Sequence, residues 1–199
     1  PATATPAVGG RRLGLSVAGR RKLHDQRHRK AVTDGLTGLG NRRRLTSLLD
    51  AYFADHLDPE TPPRNLAFLF VDLDHFKEIN DSFGHSAGDE LLKQLGPRLM
   101  STLRSTDVLV RIGGDELGAV LVDTDPEYAA GLARRLTSLL EQPFVPNGVS
   151  VRISASMGFA MAPAGAVDSL ALMRFARAAL YPRHPDQPPF RGTQSTTDA

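Results

Sequence analysis

Four consecutive residues, Gly113, Gly114, Asp115 and Glu116, separate two apolar runs, VLVRI (108–112) and LGAVLV (117–122). A turn between strands uses glycine for its backbone but has no use for two adjacent carboxylates. A third acid, Asp72, lies near the end of another apolar run, LAFLFVDLD (66–74). If that strand end and the hairpin tip meet, Asp72, Asp115 and Glu116 form a cluster. Such a cluster repels itself unless a cation occupies it or its pKa values shift. Hard divalent cations take oxygen ligands, and magnesium typically uses one or two carboxylates plus phosphate oxygens of a substrate. That arrangement suits phosphoryl and nucleotidyl transfer, where the metal neutralises the leaving phosphates and helps activate an attacking hydroxyl.

Between Asp74 and Asp89 the chain reads HFKEINDSFGHSAG. A strand-to-helix turn at Asp74 to Lys77 points backbone N–H groups at an anion, with Lys77 close by. Asn80 and Asp89 are suited to reading a base edge. A carboxylate accepts from guanine N1–H and N2–H₂, and an amide side chain meets O6 or N3. Adenine would leave the carboxylate unpaired, which discriminates strongly. Taken singly, these residues read more plainly: Asp74 as a helix cap or turn residue, Lys77 as a surface lysine and His85 as a structural histidine.

The elements that must position these groups follow from the pattern. DGLTGLGNRRRL (34–45) turns on its glycines, and a helix is predicted from Arg42 to about Phe53. The run at 66–74 suits a central strand buried on both faces. A short helix through Phe76, Ile79 and Phe83 follows. A longer one is predicted over about Ala87 to Leu103, with a kink or break near Gly96 because of Pro97. Strands at 107–112 and 117–122 make a hairpin. A helix at 126–142, a strand at 149–162 and a helix at 168–181 complete the core. The resulting βαββαβ plan predicts an α+β, ferredoxin-like palm, with a central antiparallel sheet flanked by helices.

The 199 residues hold no cysteine, which excludes disulfides and cysteine metal sites and fits a reducing compartment. No apolar run is long enough to span a membrane. The expectation is a cytoplasmic domain without direct membrane insertion, in a full-length protein that could itself be membrane-attached. Residues 1–30 carry eight Lys or Arg against one acid, Asp25. No aromatic residues interleave these charges, so they read as a solvated helix or linker and no nucleic-acid partner is expected. The expected domains are a linker and connecting helix (1–32), a catalytic core (33–181) and a Pro-rich tail (182–199).

DGLTGLGNRR (34–43), FVDLDHFKEINDSFGHSAGDELL (70–92), RSTD (104–107) and RIGGDEL (111–117) together resemble the GGDEF domain of diguanylate cyclases. ISASMGFA (153–160) and ARAALY (176–181) match it more loosely. The resemblance implies condensation of two GTP into cyclic di-GMP with release of two pyrophosphates. It implies Asp72, Asp115 and the backbone carbonyl of Leu73 as ligands of magnesium, with manganese as a substitute. Glu116 is implied as a further metal ligand or as the group that deprotonates the ribose 3′-hydroxyl. Gly113 and Gly114 let backbone pass close to the nucleotide, Phe76 and Lys77 contact phosphate, and Asn80 and Asp89 read guanine. Each domain holds one GTP, so a homodimer is implied, and an upstream sensory module is expected. Arg104 and Asp107 match an RxxD inhibitory site for cyclic di-GMP. Two departures stand out. Leu117 replaces a usual Phe, and after ALY the chain reads PRHPDQPPFRG where the family has a lysine and a Gly-Arg-Asn run. The alternative implied by the second departure is a catalytically degenerate domain that senses GTP or cyclic di-GMP.

Overall fold

The apolar run Leu66–Leu73 is covered on both faces and paired on both edges. The computed structural model describes residues 31–56, 64–163 and 166–180. Its elements are β1 (Gly40–Asn41), α1 (Arg42–His56), β2 (Leu66–Leu73), α2 (Phe76–Phe83), α3 (His85–Met100), β3 (Val108–Gly113), β4 (Glu116–Val122), α4 (Pro126–Leu140), β5 (Ala155–Ala162) and α5 (Ser169–Ala178). All belong to the unit Val32–Ala199. Residues 1–30 of the expected linker and connecting helix lie outside the described residues, as does the expected tail.

The sheet order is β1-β3-β4-β2-β5, antiparallel except for the short β1–β3 pair. Without β1 this is the ferredoxin-like order expected of βαββαβ. The two-residue edge strand β1 was not expected; two residues give no periodicity to read.

Alternation along β2 sorts the core into two layers. Ala67, Leu69, Val71 and Leu73 pack with Ile79, Leu91, Leu95 and Leu99 of α2 and α3 and with Leu132 and Leu136 of α4. Leu66, Phe68 and Phe70 pack on the other face, with Leu45 and Leu49 of α1 and Leu172 and Ala176 of α5. Full burial of one such leucine or phenylalanine contributes about 1.5–3 kcal/mol. Two covered faces account for a strand that is apolar almost throughout.

Several boundaries differ from expectation. α1 runs three residues further, to His56. α3 begins at His85, ends at Met100 and continues through Pro97 without a break. Pro97 lies in its last turns, where the missing N–H forfeits a single helical bond, and Leu91, Leu92, Leu95 and Leu99 are buried around it. The expected strand at 149–162 begins only at Ala155. Upstream, Phe144 and Val151 exchange two backbone hydrogen bonds of 2.8 Å, and Pro146–Gly148 form a 3-10 turn between them. Local pairing therefore satisfies that backbone before β2 can. α5 is helical over Ser169–Ala178, with Asp168 as its N-cap accepting from the Ala171 N–H.

Candidate active site

Strand register decides which acids meet. Asp72 is the direct partner of Glu116 on β4 and of Ser156 on β5. One residue on, the Leu73 N–H donates to the Asp115 carbonyl at 3.2 Å. The hairpin tip is therefore bonded to the end of β2, as the spatial expectation required.

The tip has a defined shape. Register shifts between Arg111 and Gly113, and Gly114 has φ +44°, a left-handed conformation that favours glycine. Arg111 closes the turn, donating from Nε and Nη2 to the Gly114 carbonyl at 3.0 and 2.9 Å. Its Nη1 lies 3.4 Å from Asp34. Asp34 in turn accepts from the Thr37 N–H at 2.9 Å and the Thr37 hydroxyl at 2.7 Å. Burial pushes the Asp34 carboxyl up, but these hydrogen bonds and the Arg111 charge outweigh it and hold the carboxyl below its usual range.

On the other side of β2, the chain turns into α2 through His75, whose φ of +59° is rare outside glycine. Asp74 is neither the helix cap nor a free ligand. Its two carboxylate oxygens accept from the Ser154 and Ser156 hydroxyls at 2.7 and 2.8 Å, tying the turn to the start of β5. No side chain caps α2, so the first N–H groups of the helix have no partner within it.

A cavity of about 380 Å³ opens here, lined by Asp72, Leu73, Phe76, Lys77 and Asp115, with Asp74, His75, Ser156 and Leu180 completing its wall. Five predicted residues thus share one cavity. Gly113, Gly114 and Glu116 adjoin Asp115 at the hairpin tip but do not line it, nor do Asn80 and Asp89. The Asn80 side chain of α2 lies against Gly88 of α3, the residue before Asp89.

Burial raises the Asp72 carboxyl above its usual pKa, and the charges of Asp115, Glu116 and Asp74 raise it further, with Arg177 partly opposing them. The donors are all hard oxygens in a field short of positive charge, which suits magnesium or manganese. Among the described residues, no three His, Cys, Asp or Glu side chains are gathered closely enough to hold an ion by themselves. Glu116 Oε1 accepts from Arg177 Nη2 at 2.7 Å.

Arg104 and Asp107 lie elsewhere. They precede β3, at the opposite end of that strand from the hairpin tip, about 20 Å away at strand rise. They form a closed turn: the Arg104 N–H donates to Asp107 Oδ2 at 2.9 Å, and the Asp107 N–H donates to the Arg104 carbonyl at 3.0 Å. The Arg104 guanidinium stacks 3.7 Å above the Tyr128 ring. Asp107 Oδ1 is buried without a hydrogen-bond partner.

The family described as "Diguanylate cyclase, GGDEF domain" matches residues 31–186. The chain belongs to the GGDEF domain family. This GGDEF domain is 41% identical over 138 residues to diguanylate cyclase DgcP of Pseudomonas aeruginosa, covering 68% of this chain and 20% of that protein. It is 39% identical to a sensory box/GGDEF family protein of Caulobacter crescentus, with a TM-score of 0.68 over 75% of this chain and 96% of that one. The coiled coil and GGDEF domain of DgcB from Caulobacter crescentus, solved in complex with c-di-GMP, gives 26% identity and a TM-score of 0.75, covering 83% and 86%. The chain spans between 13% and 37% of the length of the curated relatives it matches. Their names include both diguanylate cyclases and cyclic di-GMP phosphodiesterases, which puts the family within cyclic di-GMP signalling.

Sequence reasoning missed four parts of the GGDEF site. Arg111 and Asp34 brace the hairpin tip across 77 residues. Ser154 and Ser156 fix Asp74, although the ISASMGFA resemblance already pointed to that segment. Tyr128 supports Arg104 from below. Arg177 stands within ARAALY, but its partner could be found only once α5 was placed over the sheet. No helix of the described residues is long and apolar enough to cross a membrane.

Proposed function

We propose that this domain is a diguanylate cyclase that joins two GTP molecules into cyclic di-GMP and releases two pyrophosphates. The observation that carries this reading is the pairing of Asp72 with Glu116 beside the Leu73–Asp115 backbone bond, at the mouth of a cavity that also holds Lys77.

Phe76 and Lys77, at the uncapped start of α2, hold the phosphates of GTP. Asn80 and Asp89 read the guanine edge and reject adenine, which would leave the Asp89 carboxylate unpaired. Asp72, Asp115 and the Leu73 carbonyl hold magnesium, or manganese in its place; the bound cation supplies charge neutralisation at the phosphates and acidifies the attacking hydroxyl. Glu116 serves as a further ligand or takes the proton of the ribose 3′-hydroxyl. In each half-reaction a 3′-oxygen forms a bond to the α-phosphorus of the facing GTP. The bond to the β-phosphate oxygen breaks, and pyrophosphate leaves. Because one domain holds one GTP, a homodimer presents the two sites to each other. At the far end of β3, Arg104 and Asp107 bind the product. The guanidinium fork grips guanine or phosphate, and the Asp107 carboxylate accepts from guanine N1–H and N2–H₂. An upstream module is expected to control dimer formation, and the domain works in the cytoplasm.

Incubation with GTP and magnesium tests the reading. Cyclic di-GMP is expected from the wild type and none from Asp115→Ala or Glu116→Ala, while Arg104→Ala relieves product inhibition. The Arg177–Glu116 pair favours a second reading, a nucleotide sensor without turnover. No product from a verified dimer that still binds GTP or cyclic di-GMP would select that one.

A further inference from the structure

Glu116 is the acid of the predicted cluster that does not face the cavity, and Arg177 is what holds it. The guanidinium projects from the last turns of α5 and lies 5.4 Å from the Phe70 ring. Its position is set by backbone. Gly158, the partner of Phe70 on β5, lets the end of α5 close on the sheet. A Cβ there would stand 2.5 Å from the Ala176 carbonyl oxygen and from the Ala179 carbonyl carbon. Arg177 is therefore placed over Glu116 by the fold. Its side chain is 61% exposed and that of Glu116 is 24% exposed, so the pair can separate without stranding a charge in the core.

Two needs of the site meet at this residue. Among the described residues, Lys77 is the one cationic side chain lining the cavity. A nucleoside triphosphate carries more charge than one lysine and one divalent ion can neutralise. One carboxylate oxygen of Glu116, Oε1, is already engaged by a guanidinium donor. A divalent cation held by the Glu116 carboxylate competes with the guanidinium for its single negative charge, and a planar fork freed from a carboxylate is equally matched to phosphate.

We propose that Arg177 is an exchangeable internal cation: it holds Glu116 in the empty site, is displaced by the divalent ion, and then takes a phosphate oxygen of the bound nucleotide. The proposal rests on the reading of Asp72, Asp115 and Glu116 as a metal and nucleotide site.

The test is titration of the whole chain with Mn²⁺, following free ion by its paramagnetic resonance signal, without nucleotide. Wild type, Arg177→Ala, Arg177→Gln and Asp115→Ala are compared. Arg177→Ala is expected to bind Mn²⁺ about fivefold more tightly, the effect of removing one competing ion pair. At saturating Mn²⁺, the same variant is expected to bind a non-hydrolysable GTP analogue about fivefold more weakly. Arg177→Gln keeps much of the side-chain length without the charge and gives the same ordering should the alanine variant melt lower. Unchanged or weaker Mn²⁺ binding in both Arg177 variants, with binding lost in Asp115→Ala, would overturn the proposal and leave the metal site standing. Tighter Mn²⁺ binding with unchanged analogue affinity would overturn the phosphate contact. Absence of Mn²⁺ binding in every protein, wild type included, would overturn both the proposal and the metal-site reading.

Discussion

Asp34 shows how a residue outside the cavity shapes it. Its carboxylate receives two bonds from Thr37 and stands against Arg111, whose other nitrogens hold the Gly114 carbonyl. Hydrogen bonds to a charged group contribute about 1.5–3 kcal/mol, so Asp34→Ala is expected to lower stability by about 2 kcal/mol at pH 7. The sign of its pH dependence follows from a carboxyl held below its usual range. A depressed pKa stabilises the fold above the unfolded value of about 4 and ceases to do so as pH falls through the folded value. Wild type and Asp34→Ala should therefore converge in chemical denaturation as the pH drops below about 4. The acids of the cavity were legible in the sequence because a hairpin tip and a strand end leave little choice of position. The Asp34–Arg111 brace was not legible, since nothing in two residues 77 apart announces a contact.

At the scale of elements, α5 governs the site through Gly158. Gly158→Ala would push a methyl group into the backbone of Ala176 and Ala179, which cannot swing aside as a side chain can. Overpacking of this kind costs about 1–3 kcal/mol, measurable by urea denaturation. The same substitution should loosen the Arg177–Glu116 pair and reproduce the tighter Mn²⁺ binding expected of Arg177→Ala. Strong helical and strand periodicity made β2, the hairpin and α4 readable. The errors fell where local chemistry competed with pattern. Pro97 is tolerated because burial of its neighbours outweighs one absent bond, and Val149 and Val151 bond back to Pro146 and Phe144 around the Asn147 turn instead of extending β5.

For the whole molecule, the order β1-β3-β4-β2-β5 places the hairpin tip and the Arg104–Asp107 turn at opposite ends of one strand. Under the proposed function, a product bound at the turn lies away from the GTP of its own domain, so inhibition would act by restraining how two domains face each other. Cyclic di-GMP formation is expected to rise faster than linearly with protein concentration until dimers dominate, and then to become proportional to it. A strictly proportional rate at every concentration, down to the nanomolar range where weak dimers dissociate, would rule out dimer formation as the limiting step. The ferredoxin-like sheet was readable from strand order alone.

β2 has ladder bonds along both edges and side-chain cover above and below. Its amides can trade protons with solvent only when the sheet comes apart as a whole. Deuterium should reach Phe68 to Val71 last of any segment, at a rate that reports global stability. The floor beneath Asp72 then stays fixed on that timescale, so any opening of the cavity would fall to the hairpin tip and the end of α5.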